Sequence, residues 1–130
     1  MPFSSWRGLA GQVHPTMRPG SSEELTRLLP EGMSVLALHC NIRRGTADEF
    51  KTVMAEYERH IAELAEQACE VITPSGAPPF MVQGFKNEAK LIDRWEKKYK
   101  VPMFTSGQNH IHALKALKVK SFIGATYFPG

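Results

Sequence analysis

Two cysteines and five histidines are the side chains of this 130-residue chain best suited to covalent or proton-transfer chemistry. Cys40 and Cys69 lie 29 positions apart with no CxxC spacing. Neither a disulfide framework nor a zinc site is expected from that pattern, and a reducing cytoplasm is the expected compartment. His39 directly precedes Cys40, and a His–Cys pair can activate a thiol. Neighbours on a strand point to opposite faces, however, which keeps the two apart. His110 and His112 are two apart, so they share no helix face and lack the i,i+4 spacing of a metal-binding pair. His60 falls among acidic residues and reads as solvated, and Cys69, just after a long helix, reads as a small core residue. The other available chemistry is anion binding by loops. Residues 74–84 (PSGAPPFMVQG) form the most unusual loop of the chain, with a start that cannot be a regular helix. Ser106, Gly107 and Gln108 stand at the head of a helix, where free N–H groups can face an anion.

These residues need elements to hold them. Ser21-Ser22-Glu23-Glu24 is a capping-box pattern; Leu25, Leu28 and Leu29 come next at helical spacing, and Pro30 with Gly32 ends the element. Residues 33–39 (MSVLALH) are an apolar run bounded by turn residues, which predicts a buried strand. Phe50, Val53, Met54, Tyr57, Ile61, Leu64 and Ala65 recur every three or four positions and predict one amphipathic helix over 47–68. Residues 70–73 are a short β-branched strand, 85–99 a helix burying Ala89, Ile92, Trp95 and Tyr99, 101–105 a strand, 108–117 a helix and 121–127 a closing strand. Residues 9–13 give the first strand, although they hold few β-branched residues. Strands alternating with helices predict an α/β fold: a four- to five-stranded parallel sheet with helices on both faces, one domain over residues 1–130. In such sheets ligands bind at the carboxyl ends of the strands. Those ends carry residues 14–16, 39–44, 73–79, 105–109 and 126–127.

Charge excludes some partners. The net charge of +3 is unevenly spread: residues 1–83 carry 7 Lys/Arg against 10 Asp/Glu, and residues 84–130 carry 9 against 3. Such an asymmetry can mark a nucleic-acid surface. Here the cations alternate with Glu88, Asp93 and Glu96 on one helix, the pattern of a solvated face, and no nucleic-acid reader motif accompanies them. No apolar run reaches the roughly 18 residues of a membrane span, and the first residues make a poor signal peptide because Arg7 interrupts their apolar stretch. Neither nucleic acid nor membrane is an expected partner.

Several stretches, taken in order, resemble the amino-terminal half of the Asp/Glu racemase superfamily, in the branch of maleate cis-trans isomerases and arylmalonate decarboxylases. They are LLPEGMSV at 28–35, the long acidic helix, EVITPSG at 70–76, GFKNEAKL at 84–91, KVP at 100–102 and HALKALKVKSFIGATYF at 112–128. The resemblance runs from about residue 8 to residue 128 and rests on order and spacing rather than on one motif. It implies one half of a two-domain racemase-like fold, with two similar α/β domains facing each other across one site. The family's chain is nearly twice this length, so the sequence reads as truncated near the domain crossover, to be completed by a second domain or a second copy.

The resemblance further implies chemistry without metal or organic cofactor. A small malonate-type or other dicarboxylate would pass through an enediolate, stabilised by backbone and hydroxyl donors. The proton-transferring cysteine of the family's second domain has no counterpart here, which implies that the isolated chain is inactive. In the loop after the third strand the family's first cysteine position is Gly76, as in arylmalonate decarboxylases; a maleate isomerase or racemase needs a thiol there. The family's Thr-Ser donors are replaced by Ala77 and Pro78, leaving the Gly76 and Ala77 N–H groups and the Ser75 hydroxyl, a Gly-Ala turn still able to form an anion nest. Tyr127 aligns with a family tyrosine that donates to the substrate carboxylate, and equally fits a strand-end residue capping the core. Pro15 and Thr16 align with the family's first loop beside the substrate, and equally fit a simple turn. Ser106 and Gln108 occupy the fourth loop, where Gln108 departs from the family's Ser/Thr pattern. The implied site is thus Gly76 and Tyr127 as catalytic groups, with Pro15, Thr16, Ser75, Ala77, Ser106 and Gln108 binding substrate. A non-catalytic domain binding a small anion or a protein is the alternative.

Overall fold

The computed structural model describes residues 3–17 and 21–125. After a 3-10 turn at Phe3–Ser5 come β1 (Gly8–His14), α1 (Ser21–Leu28), β2 (Met33–His39), α2 (Ala47–Thr52), α3 (Met54–Glu66), β3 (Val71–Pro74), α4 (Ala77–Met81), α5 (Phe85–Tyr99) and α6 (Ser106–Ala116). The three strands form one parallel sheet in the order β2-β1-β3. β1 runs beside β2 from Gly8↔Met33 to His14↔His39, and beside β3 from Ala10↔Val71 to Val13↔Pro74. The weakest strand in the sequence is therefore the central one. A small residue suits it there, because α3 and β3 press on it: a Cβ at Gly11 would meet Leu64, Cys69 and Ile72 at 3.1–3.2 Å.

Alternation along β1 sorts the layers. Gly11 and Val13 face α3, whose Tyr57, Ile61 and Leu64 are wholly buried with Ile72, Phe80 and Trp95. Gln12 and His14 point to the other face, where the Ser22 hydroxyl of α1 meets both. Helices cover both faces, as the α/β alternation predicted. Burying aliphatic and aromatic side chains at roughly 1.5–3 kcal/mol each is what holds this layer together.

In α5, Ala89, expected to be buried, is exposed while Glu88 is buried, and three of the predicted helices and strands differ in extent from their sequence reading. The predicted 47–68 helix is divided at Val53 into α2 and α3, although the Val53 N–H still donates to the Glu49 carbonyl (3.0 Å) and the Tyr57 N–H to the Val53 carbonyl (3.0 Å). The Thr52 hydroxyl also donates back to the carbonyls of Asp48 (3.0 Å) and Glu49 (3.2 Å). The predicted 101–105 strand contracts to a single parallel bridge, Ile72↔Met103. Pro102 has no N–H, and the Met103 N–H donates to the Glu96 carboxylate at 2.7 Å, so no ladder can grow there. Residues 121–125 of the expected closing strand are exposed and form no strand, while Thr126 and Tyr127 lie outside the described residues. The sheet so described has three strands and one bridge rather than four or five strands.

Candidate functional site at the strand ends

The carboxyl ends of β1 and β3 bring Pro15 and Gly76 into direct contact. Gly76 has φ +96°, a conformation open to glycine at little cost, and a Cβ built there would lie 2.7 Å from Pro15 Cγ. Ser75 is fixed from two sides. Its N–H donates to the Val13 carbonyl (2.8 Å), and its carbonyl accepts the Tyr57 hydroxyl (2.5 Å). Pro15 is fixed as well, by a hydrogen bond from the Ile42 N–H to its carbonyl at 3.1 Å.

Beyond Gly76 the chain departs from the loop expected of its sequence. A short helix, α4, begins at Ala77 with Gly76 as its N-cap, and the two prolines fall inside its first turn. Proline is tolerated there because first-turn N–H groups have no helical partner to lose. The consequence for anion binding is direct. Pro78 and Pro79 remove two donors from the helix start, so the N–H groups of Gly76 and Ala77 remain, and neither has a hydrogen-bond partner among the described residues. The Ser75 hydroxyl beside them is buried and also unpartnered. These are the donors that the turn leaves without partners among the described residues.

Thr16 continues from Pro15 as a half-buried residue. Ser106 opens α6, which rests against α4. Gln108 is engaged in its own helix: its side-chain carbonyl accepts the Thr105 N–H (3.0 Å) while its N–H donates to Thr105 Oγ1 (3.1 Å), a closed capping box. Beneath it the Thr105 hydroxyl donates to Glu88. Tyr127 is outside the described residues.

The histidines and cysteines separate as strand alternation requires. The His14 and His39 rings stack with centroids 5.0 Å apart, and His14 Nε2 lies 3.1 Å from Gln12 Oε1 and 3.0 Å from Ser22 Oγ. Burial, with the adjacent His39, holds the His14 pKa below its ordinary value against a smaller upward pull from Glu23. Cys40 is wholly buried in the core cluster with Tyr57 and Ile61. Burial, reinforced by Glu56, pushes its thiol up to about 12, so the His39–Cys40 neighbours make no activated thiol. Burial raises the Cys69 thiol too. His60, read as solvated, is instead buried, with Glu56 and Glu63 one turn either side of it on α3.

Sequence reasoning missed Tyr57, counted only as one more apolar position of a stripe. Its signal was available: a tyrosine at a core position must find a partner for its hydroxyl, and here that partner is the loop of the candidate site. It also missed Gln12, a buried polar residue on the central strand.

Neither a family model nor a curated protein sequence matches the chain. Solved structures do. Maleate isomerase Iso from Pseudomonas putida S16 gives a TM-score of 0.74 at 16% identity, over 85% of this chain and 50% of that one. A liganded double mutant of arylmalonate decarboxylase, with one glycine changed to cysteine and one cysteine to serine, gives 0.77 at 18% identity, over 87% and 48%. The isomerase with alanine in place of a cysteine and with maleate bound gives 0.71 at 17% identity, over 85% and 49%.

This chain has their half-fold.

It spans about half the length of the solved structures it matches. The resemblance read from the sequence therefore extends to the three-dimensional arrangement, and the Pro15–Gly76 contact lies at the strand ends of this half. Among the described residues no helix is long and apolar enough to cross a membrane.

Proposed function

We propose that this chain supplies one half of a cofactor-independent, carboxylate-binding active site of the racemase type, working as a decarboxylase on a small malonate-type or other dicarboxylate. The Gly76 and Ala77 N–H groups and the Ser75 hydroxyl take one carboxylate, with Pro15 and Thr16 as the adjoining wall and Ser106, Gln108 and Tyr127 as the further contacts that the resemblance implies. As carbon dioxide leaves, negative charge moves onto the remaining carboxylate as an enediolate. Fixed donors aimed at that charge stabilise it by a few kcal/mol each. The proton is then returned to carbon by an acid from a second half, in a longer chain or a second copy.

One observation supports decarboxylation over isomerisation. Position 76 combines a positive φ with a Cβ distance of 2.7 Å to Pro15, so a cysteine there would need both the turn and Pro15 to move. The two-thiol arrangement of an isomerase or racemase is disfavoured in this half. The arylmalonate decarboxylase mutant had a glycine changed to cysteine, which fits a glycine in the native form of that enzyme. The reading as a non-catalytic anion- or protein-binding domain has its own support in Pro78 and Pro79, which strip the loop of donors.

The test is calorimetry and product analysis with phenylmalonate and maleate. Saturable binding without appreciable turnover is expected of the 130-residue chain, since loss of a positioned acid typically loses about 10² to 10⁴ in rate. Ser75→Ala is expected to weaken binding by about tenfold, the worth of one charge-assisted hydrogen bond of about 1.5 kcal/mol. Robust turnover by the chain alone would contradict the need for a second half, and absence of any dicarboxylate binding would leave the non-catalytic reading.

A further inference from the structure

Outside the strand-end site, a second group of side chains converges at the junction of β2 and α3. Cys40 comes just after the last residue of β2, while Glu56 and His60 stand one turn apart on α3. One ligand atom from each lies within 4.8 Å of the others. His60 Nε2 is 3.8 Å from Glu56 Oε1, and His60 Nδ1 is 3.8 Å from Glu63 Oε2. The His60 side chain is only 10% exposed, yet neither of its ring nitrogens has a hydrogen-bond partner. A buried imidazole with both nitrogens unsatisfied needs an explanation, and the adjacent thiol and carboxylate suggest one.

We propose that Cys40, Glu56 and His60 form a binding site for a single zinc-class divalent cation. Thiolate, imidazole and carboxylate are the three ligand types that Zn²⁺ accepts, at about 2.3 Å for sulfur and about 2.0–2.2 Å for nitrogen and oxygen. A tetrahedral set with those bond lengths places ligand atoms about 3.3–3.8 Å apart. His60 Nε2 and Glu56 Oε1, at 3.8 Å, need to close by a few tenths of an ångström, and all three ligand atoms lie within 4.8 Å of one another. Glu63 occupies the place of the carboxylate that commonly orients the other nitrogen of a metal-bound imidazole. Arg59 competes, since its guanidinium lies 3.7 Å from Glu56 Oε1 and must yield when the cation enters.

A cavity of about 140 Å³, lined by Asn41, Ile42, Glu49, Thr52, Val53 and Glu56, adjoins the group through Glu56. Glu56 forms part of both the cavity wall and the ligand set, so the proposed fourth position, taken by water, lies on the cavity side. The cysteine proton passes to solvent as the sulfur–metal bond forms, so affinity rises with pH. Bound there, the cation ties the end of β2 to α3. Glu56 and His60 have the i,i+4 spacing of a metal-binding pair, but Cys40 comes from another element, so no local pattern announces the full set. The site also stands apart from the proposed carboxylate chemistry and does not depend on it.

The test is titration of the untagged, chelator-treated chain with Co²⁺, the spectroscopic stand-in for Zn²⁺. One equivalent should bind, with the strong d–d bands of a tetrahedral site and a thiolate-to-cobalt charge-transfer band, and Zn²⁺ should displace it. Cys40→Ser should abolish the charge-transfer band, and Glu56→Gln should weaken binding at least tenfold. Glu56 is partly exposed, so its variant keeps the test valid if Cys40→Ser does not fold. Binding without a sulfur band by the parent chain, or unchanged affinity in folded Glu56→Gln, would overturn the proposal.

Discussion

Two loops at the same end of the sheet solve the problem of free backbone N–H groups in opposite ways. In the β2–α2 loop the chain brings its own anion. The Glu49 carboxylate accepts N–H groups from Arg43 (3.4 Å), Arg44 (3.0 Å), Gly45 (2.7 Å) and Thr46 (3.2 Å), and Thr46 caps the helix in return. In the β3–α4 loop the frame is equally well fixed, by Val13, Tyr57 and Pro15, but no side chain among the described residues bonds its free N–H groups. The first loop is a nest already occupied, and the second keeps its remaining donors for something else. A donor-rich loop is thus a weak indicator of a ligand site until its internal partners are counted.

The largest expected effect comes from removing the support that the two loops share. Ile61 is wholly buried on α3, which comes directly after the Glu49 helix and carries Tyr57. Ile61→Ala should cost about 2–5 kcal/mol in denaturant unfolding and erase the contrast by loosening both loops. Gly76→Ala should come next, at about 1–3 kcal/mol, because the new methyl meets Pro15 in a backbone conformation that alanine rarely adopts. Its damage should stay local, with amide exchange at 43–46 unchanged.

The difference between those two variants reflects what could be read from the sequence. The α3 stripe was visible because burial repeats with the helical period, and Ile61 and Leu64 sit where the stripe puts them. The layered parallel fold was visible for the same reason. Gly76 could be placed in the right loop through the resemblance, but its contact with Pro15 joins residues 61 positions apart, which no local pattern encodes. Helix α4 was hidden because two successive prolines look like a breaker, although the first turn of a helix has no N–H to lose. His60 was misread because flanking acids suggest solvent, while burial depends on which helix face meets the sheet. The nest around Glu49 was invisible for a different reason: a glutamate three residues after a threonine announces a capping box, but not the three further N–H groups that it collects.

Tyr57→Phe sharpens the comparison further. It should cost about 1 kcal/mol by unpairing the Ser75 carbonyl, and should speed amide exchange at Ser75 and Gly76 while sparing the Glu49 nest. The smallest effects separate the loops by pH. Burial opposes the Glu49 charge, but the N–H groups of Thr46, Arg44, Arg43 and Gly45 together hold its pKa below the ordinary 4.5. Its contribution is therefore present above pH 4.5 and lost as pH falls through the lower, folded value. The depressed His14, next to Pro15, acts in a higher window: stability is lost as pH falls below the ordinary 6.5 toward its folded value, because the unfolded chain takes up the proton first. His14→Gln should flatten the stability profile just below pH 6.5, and Glu49→Gln only below pH 4.5, both read from denaturation midpoints.

The central claim is that the β3–α4 loop keeps its donors for an external carboxylate while the β2–α2 loop does not. Amide chemical shifts of the folded chain during a phenylmalonate titration test it most directly. The Gly76 and Ala77 N–H resonances should move together and saturate, with Gly45 and Thr46 unmoved. Saturable shifts at Gly45 and Thr46 with none at Gly76 and Ala77 would contradict the account.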